Sequence, residues 1–247
     1  MSEDEKSTQN IDESKESNEM PTNNSTDKSS EKKGKDKEKK SVGREIWEWV
    51  YTIAIAIAIA LLIKGFVFDI VKVDGSSMFP TLENNDRLIV TKLGYKPKQG
   101  DIIILDSTYK NRKEYFDKLA ASENKEELSS FEKFFAQSKL PASLKKKYYV
   151  KRIIAMPGQT VDLVDGKVYI DGNRLEEEYF NGITSPINGS EIEYPFTVDE
   201  GHVFVMGDNR NHSTDSRSST LGQVPFEAIL GKSQLRIWPI SNIGVTK

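Results

Sequence analysis

Residues Ile53–Ile63 read IAIAIAIALLI, an uninterrupted run in which no side chain carries a polar atom. The alternation of Ile and Ala has the period of a β-strand, but both residue types are apolar, so it marks no polar face. The run lies within a longer apolar segment, Ile46–Phe68, which is long enough to cross a bilayer once as an α-helix. Trp47 and Trp49 near its start are typical of a membrane interface. We therefore predict a transmembrane helix over residues 46–68.

Two other interpretations of this segment are a buried helix of a soluble domain and a cleaved signal peptide. A buried helix is disfavoured because a long basic, polar stretch precedes the apolar run. A cleaved signal peptide is disfavoured because no small-x-small pattern follows the run, where the chain reads Ile-Lys-Gly-Phe-Val-Phe-Asp. We expect an uncleaved anchor.

Residues 1–45 are rich in Ser, Asn, Glu, Asp and Lys and almost free of apolar side chains. Such a segment cannot bury enough apolar surface to offset the entropy of ordering, so we predict a disordered tail. Basic residues are concentrated at Lys32–Lys40 and Arg44, next to the anchor. Positive flanks remain in the cytoplasm, so the tail is predicted to be cytoplasmic and residues 69–247 extracytoplasmic.

The chain contains no cysteine and has a net charge of −3. The lack of thiols excludes a disulfide framework and a thiolate metal site. No cluster of metal ligands is visible in the sequence, so neither a metal nor an organic cofactor is expected. The charge balance and the lack of a DNA-reading helix pair give no reason to expect a nucleic-acid partner.

Short strand-like runs separated by turn residues follow the anchor and predict a mostly β domain. Asp165-Gly166 between two such runs is a hairpin signal, and Asp171-Gly172 marks a second turn. Residues 107–147 differ, being rich in Lys and Glu, and we expect a short inserted helical segment there; a disordered loop is the alternative. The predicted strands are Arg87–Lys92, Asp101–Leu105, Thr160–Val164, Lys167–Ile170, His202–Met206 and Ser233–Trp238.

Ser77 lies in VDGSSMFPTL (Val73–Leu82), and Lys151 lies in YYVKRIIAMPG (Tyr148–Gly158). A serine hydroxyl needs a base to become a nucleophile. A lysine can be that base only when neutral, which requires burial to lower its pKa by about three units. In an extended strand Lys151 shares a face with Ile153 and Ala155, which could supply that burial.

These motifs, with GDNRNHSTDSR at Gly207–Arg217, resemble those of the bacterial type I signal peptidases, and the likeness runs from the anchor to about Ile240. Each motif is weak alone, but their order after an N-terminal anchor is specific, and Gly75 resembles the Gram-positive members. The matching positions are Ser77-Met78, Pro80-Thr81-Leu82, Arg87, Val90, Lys151-Arg152, Pro157-Gly158, Gly207–Arg210, Ser213, Asp215–Arg217, Gly222, Pro225, Gly231-Lys232 and Trp238-Pro239.

The resemblance implies a Ser/Lys endopeptidase that forms an acyl-enzyme while removing signal peptides from exported preproteins. Ser77 would be the nucleophile and Lys151 the general base, with Ser213 hydrogen-bonded to Lys151. Asp215 and Arg217 would form a supporting ion pair. The Ser77 backbone N–H would contribute to the oxyanion hole; many relatives add a serine two positions earlier, where this chain has Gly75.

The resemblance also implies a substrate pocket and a set of partners. The apolar wall of the pocket would comprise Val73, Leu82, Tyr149 and Val150, although these side chains could equally be core. The expected partners are secretory preproteins and the phospholipid membrane, and the protein is expected to be a monomer.

Three rival functions remain open at this point. His212 precedes Ser213 near two aspartates, so a Ser-His-Asp triad is conceivable. A soluble self-cleaving repressor uses the same Ser/Lys chemistry, but the anchor disfavours it. A catalytically dead, membrane-bound assembly or chaperone protein is disfavoured by the presence of both Ser77 and Lys151.

Overall fold

The computed structural model describes residues 42–246. Residues 1–41 of the predicted disordered tail lie outside the described residues, whereas residues 42–45 belong to the first helix, so the prediction of disorder is wrong for these four residues. Helix α1 spans Val42–Leu62 and continues as a π-helical turn over Ile63–Val67. The 23 residues Glu45–Val67 are long and apolar enough to cross a membrane, and the apolar stretch within them is not covered by the rest of the described chain.

The domain that follows is mostly β, as predicted from the sequence. Within the described residues the strands form two antiparallel sheets, with β1 beginning at Phe68, the last residue of the predicted helix. The strands are β1 Phe68–Lys72, β2 Arg87–Thr91, β3 Ile102–Asp106, β4 Tyr148–Ala155, β5 Thr160–Val164, β6 Lys167–Ile170, β7 Asn173–Arg174, β8 Phe196–Thr197, β9 His202–Met206, β10 Val224–Pro225, β11 Ile229–Trp238 and β12 Gly244–Val245.

The larger sheet has the order β1-β2-β11-β3-β4-β9-β10, with β12 paired to β11. Strand β3 is buried on both faces because its alternate side chains serve two cores. Ile102 and Ile104 pack with Val73 and the residues around it, whereas Ile103 and Leu105 pack on the opposite face. A continuous apolar run is what a strand covered on both sides requires.

The smaller sheet has the order β7-β6-β5-β8 and is built on the two predicted turns. Asp165 and Gly166 both have positive φ, as a two-residue hairpin turn between β5 and β6 demands. Asp171 and Gly172 make the same kind of turn between β6 and β7. Both turn predictions are confirmed.

Residues 107–147 connect β3 to β4 and contain two helices, α2 Tyr109–Ser122 and α3 Ser130–Ser138. The helices share a small core of their own, formed by Phe116, Ala120, Leu128 and Leu140. Arg112 forms a buried ion pair with Asp106 at the end of β3, which fixes the start of the insertion.

Candidate active site

The side chains of Ser77 and Lys151 are in contact although they lie far apart in the sequence. Lys151 is on β4, opposite Ile103 of β3, and Ser77 is in the turn that follows β1. Lys151 Nζ donates a hydrogen bond to Ser77 Oγ at 2.8 Å and another to the Val150 carbonyl at 3.0 Å. The distance to Ser77 is short enough for direct proton transfer.

Lys151 is 2% exposed, and this burial lowers its pKa from 10.5 to about 8. Desolvation is the main cause, because it disfavours the ammonium form; the charges of Asp215 and Asp208 act in the opposite direction. The aromatic ring of Tyr149 lies 5.1 Å from Lys151 Nζ and covers part of the amine. A substantial fraction of Lys151 is thus neutral at mildly alkaline pH.

The burial of Lys151 differs in one detail from the sequence expectation. Ile153 packs in the core beneath β3, but Ala155 packs with Ile154 in the core between the two sheets. The register between β4 and β9 shifts between Ile153 and Ala155, which marks a β-bulge. The expectation that Ala155 shares the face of Lys151 is therefore wrong, because a bulge breaks the alternation of a strand.

The turn that carries Ser77 is held in place by hydrogen bonds to its backbone carbonyl groups. Asn209 donates from its backbone N–H to the Ser77 carbonyl at 3.0 Å and from its side chain to the Ser76 carbonyl at 3.1 Å. The Ser77 N–H has no acceptor among residues 42–246, so it remains available to a ligand. Gly75 has a φ of +103° and donates its N–H to Asn84 at 3.0 Å.

Asp215 and Arg217 form the predicted ion pair behind the lysine. Arg217 Nε and Nη2 each lie 2.9 Å from a different carboxylate oxygen of Asp215, and both side chains are buried. Asp215 also accepts a hydrogen bond from the Gly207 N–H at 3.0 Å. A buried carboxylate with this many donors is held in one orientation.

Ser213 does not make the expected hydrogen bond to Lys151. Its Oγ is buried and has no hydrogen-bond partner among the described residues, while Lys151 Nζ uses Ser77 and the Val150 carbonyl. The hydroxyl nevertheless lies beside the turn that carries Ser77, because a side chain at Gly207 would meet both Ser213 and the Ser77 carbonyl. An unpaired buried hydroxyl is costly, and this one lies close to the Ser77 backbone.

Arg152, the neighbour of Lys151, links β4 to the turn that carries Ser77. Its guanidinium donates to both oxygens of Asp208, at 2.9 and 2.7 Å, and Asp208 also accepts from Thr81 Oγ1 at 2.6 Å. Arg152 and Asp208 are both buried. The link fixes the strand of Lys151 against the turn of Ser77.

Sequence reasoning missed a segment, residues 177–185, that contacts each of the three buried arginines around the site. Two of its aromatic rings stack on guanidinium groups: Tyr179 lies 3.8 Å from Arg152 and Phe180 lies 4.4 Å from Arg210. The polar contacts of this segment are Glu177 with Arg210, Thr184 Oγ1 with Arg210, and the Ser185 carbonyl with Arg217 Nη1 at 3.1 Å. No local sequence pattern reveals contacts over such separations.

A groove of about 360 Å³ opens beside the Ser77 and Lys151 side chains. Of the four predicted wall residues, Val73, Tyr149 and Val150 line it. Leu82 does not line it; it is 1% exposed and packs with Val73 and its neighbours, so it is a core residue. The prediction for Leu82 is wrong because the turn after Ser77 directs this side chain beneath the sheet.

The two histidines do not form a triad with Ser77. His212 is exposed at the rim of the groove, and the ion partners of Asp208 and Asp215 are arginines. His202 Nδ1 lies 2.9 Å from the Glu200 carbonyl at the start of β9. Within residues 42–246 no group of three or more His, Asp or Glu side chains is placed to hold a metal ion.

Residues 46–238 match the family model described as signal peptidase, peptidase S26. This chain belongs to that signal peptidase family. It is accordingly a serine endopeptidase, and the predicted resemblance is confirmed.

Several signal peptidases are similar to it in sequence. A probable signal peptidase I-2 of Synechocystis is 34% identical over 74% of this chain and 69% of its own length. Signal peptidase I of Bacillus licheniformis is 33% identical over 75% of this chain and 85% of its own length. A crystal structure of a signal peptidase I from Enterococcus faecalis V583 has 26% sequence identity, covers 56% of this chain and 97% of that chain, and gives a TM-score of 0.35.

Proposed function

We propose that this signal peptidase is a single-pass membrane enzyme that cleaves signal peptides with a Ser77/Lys151 dyad. The observation that carries the proposal is the 2.8 Å hydrogen bond between a buried lysine amine and a serine hydroxyl at the floor of an open groove. Lys151 has no structural reason to be there, because a buried lysine without a counter-charge in contact destabilises a fold.

The reaction begins with neutral Lys151, whose nitrogen lone pair accepts the Ser77 proton as Oγ attacks the scissile carbonyl. The Ser77 N–H, which has no other acceptor among the described residues, donates to the developing oxyanion. Gly75 contributes no side-chain donor, so a second donor has to come from backbone or from solvent.

Collapse of the tetrahedral intermediate leaves the signal peptide esterified to Ser77 Oγ. The departing amine of the mature protein takes the proton from the Lys151 ammonium. Neutral Lys151 then removes a proton from water, which attacks the ester carbonyl. As the bond from the acyl carbon to Ser77 Oγ breaks, the Lys151 ammonium returns this proton to Oγ, and the signal peptide leaves as a carboxylic acid. In each half of the reaction one lysine thus acts first as base and then as acid, without a histidine.

The membrane position follows from the helix and the chemistry together. Helix α1 and its π-helical extension supply a 23-residue apolar candidate span, and β1 begins immediately after it. The basic residues ahead of the helix favour a cytoplasmic N-terminus. The catalytic groups then lie outside, close to the lipid surface, where the apolar part of a signal peptide still resides.

Cleavage of a preprotein by the purified full-length chain tests this function. Wild type should release the mature protein, whereas Ser77→Ala and Lys151→Ala should each lose nearly all turnover. The double variant should be little worse than either single one, because residues that act as a unit are not additive. His212→Ala and His202→Ala are the controls. Loss of turnover in a folded His212→Ala protein would refute the assignment of Ser77 and Lys151 as the catalytic pair.

A further inference from the structure

The insertion between β3 and β4 exposes three phenylalanines on one helix. Phe131, Phe134 and Phe135 of α3 are 71, 68 and 54% exposed, and their spacing puts them on one face. The Phe135 ring lies 4.6 Å from Phe131 and 5.6 Å from Phe134, centroid to centroid. The rings contact one another and leave their outer surface uncovered, and such patches mark interaction sites.

Helix α3 is well formed, so this exposure is not a consequence of a loose segment. Ser129 and Glu132 make a reciprocal capping box: Ser129 Oγ accepts from the Glu132 N–H at 3.3 Å, and Glu132 accepts from the Ser129 N–H at 2.8 Å. Leu128 and Leu140, at the two ends of the helix, are buried in the core shared with α2. The helix is therefore docked at its ends while its aromatic face points outward.

The insertion is basic in a chain that is not. Residues 107–147 hold ten Lys and Arg against six Asp and Glu, whereas the whole chain has a net charge of −3. Lys139, Lys145 and Lys146, which follow the aromatic face, have no ion-pair partner among residues 42–246. Unpaired lysines beside an apolar face suit the headgroup region of an anionic bilayer.

The insertion is attached to the large sheet at the same end of the strands as the membrane helix. Strands β1, β2, β11, β3 and β4 pair antiparallel in this order. The start of β1, the end of β3 and the start of β4 therefore lie at the same end of the sheet.

From these observations we propose that the Phe131/Phe134/Phe135 face of α3 is a second membrane contact, which inserts into the interface of an anionic phospholipid bilayer. It rests on the proposed membrane topology, since it places α3 on the lipid side of the catalytic domain. The aromatic rings would lie among the upper acyl chains and the lysines among the headgroups. Together with α1 this contact would fix the orientation of the groove toward the bilayer.

A single label on the full-length protein tests the contact, because the chain has no cysteine of its own. Phe134→Cys is labelled with a fluorescent maleimide in detergent and is then reconstituted in phosphatidylcholine vesicles with or without phosphatidylglycerol. Ile183→Cys is the matched control, since both positions are 68% exposed and Ile183 lies beside the β5–β6 turn. Quenching is measured with aqueous iodide and with lipids brominated on their acyl chains.

We expect the label at 134 to be quenched by brominated lipid and several-fold less by iodide than the label at 183, with a larger difference in vesicles that contain phosphatidylglycerol. Replacing Lys139, Lys145 and Lys146 by Gln should reduce that difference. Equal iodide access at both positions would overturn the proposal. Shielding that rises with protein density without brominated-lipid quenching would also overturn it, by indicating a second copy. Cleavage of a preprotein by the labelled enzyme in detergent is scored separately, so failure of the function is distinguishable from failure of the contact.

Discussion

Gly207 lies against Ser213 so closely that no side chain fits between them. A Cβ atom at Gly207 would come 2.6 Å from Ser213 Cβ and would also collide with the Ser77 carbonyl. The Gly207 N–H is at the same time bonded to Asp215. This glycine therefore lies where the Ser77 turn, the buried Ser213 hydroxyl and the buried Asp215–Arg217 ion pair meet.

Gly207→Ala should consequently displace the Ser77 turn. Overpacking of this kind costs about 1–3 kcal/mol of stability. We expect cleavage activity to fall by more than the fraction of folded protein does, because the distance between Ser77 and Lys151 changes. Gly244→Ala is the control, since a Cβ there meets no atom within 4 Å. Preprotein cleavage and thermal unfolding in detergent measure both effects; a fully active Gly207→Ala enzyme would contradict this packing.

The rate of cleavage should rise with pH as Lys151 loses its proton. The pKa of Lys151 is lowered to about 8, so the neutral base becomes the major form above that pH. This rise should appear in a plot of kcat/KM against pH, and it should persist in His212→Ala and His202→Ala. A rate that is flat from mildly acidic to alkaline pH would refute Lys151 as the base.

Lys151→Met should stabilise the folded protein near neutral pH. The pKa of Lys151 is depressed from 10.5 to about 8, so the folded state binds this proton less tightly than the unfolded chain. The resulting penalty, roughly 3 kcal/mol for such a shift, is fully present below pH 8 and fades as pH rises toward 10.5. Thermal unfolding of both proteins across this range measures it, with the exposed Lys146→Met as control. A destabilised Lys151→Met protein would show that packing outweighs desolvation.

The groove should admit only small side chains at the substrate position before the cut. Val73, Tyr149 and Val150 line it, and two of them are anchored in β4. Peptides with alanine at that position should be cleaved far better than those with leucine, because a rigid wall rejects bulk sterically. Val150→Ala should relax this discrimination, whereas Leu82→Ala should lower stability by about 2–5 kcal/mol as a core truncation. Equal cleavage of both peptides would contradict the pocket.

Protease added to intact, wall-stripped cells should digest the chain after Phe68 and spare the N-terminal tail. This outcome follows from the basic flank before the apolar span and from the need to cut substrates outside. A tag at each end and immunoblotting report the two sides. Loss of the N-terminal tag with protection of residues 107–147 would refute both the topology and the function.

Local patterns in the sequence were sufficient to predict much of this architecture. The apolar run Ile53–Ile63 indicates the anchor because bilayer thickness fixes the length of a span. Asp165-Gly166 and Asp171-Gly172 indicate two turns because their backbone needs positive φ, which these residues tolerate. Strand positions followed from apolar runs between such turns. The motifs around Ser77 and Lys151 gave the family through their order.

Contacts between distant segments were decided only by the tertiary structure. Ser77 and Lys151 are 74 positions apart, and their distance depends on how β4 packs beside the turn after β1. Leu82 became core, and Ala155 changed face through a bulge that alternation does not encode. The stack of Tyr179 on Arg152 likewise has no local signal. Periodicity and turn chemistry act between neighbours in the chain and are readable from it, whereas register, bulges and side-chain contacts depend on close packing between segments that are remote in sequence.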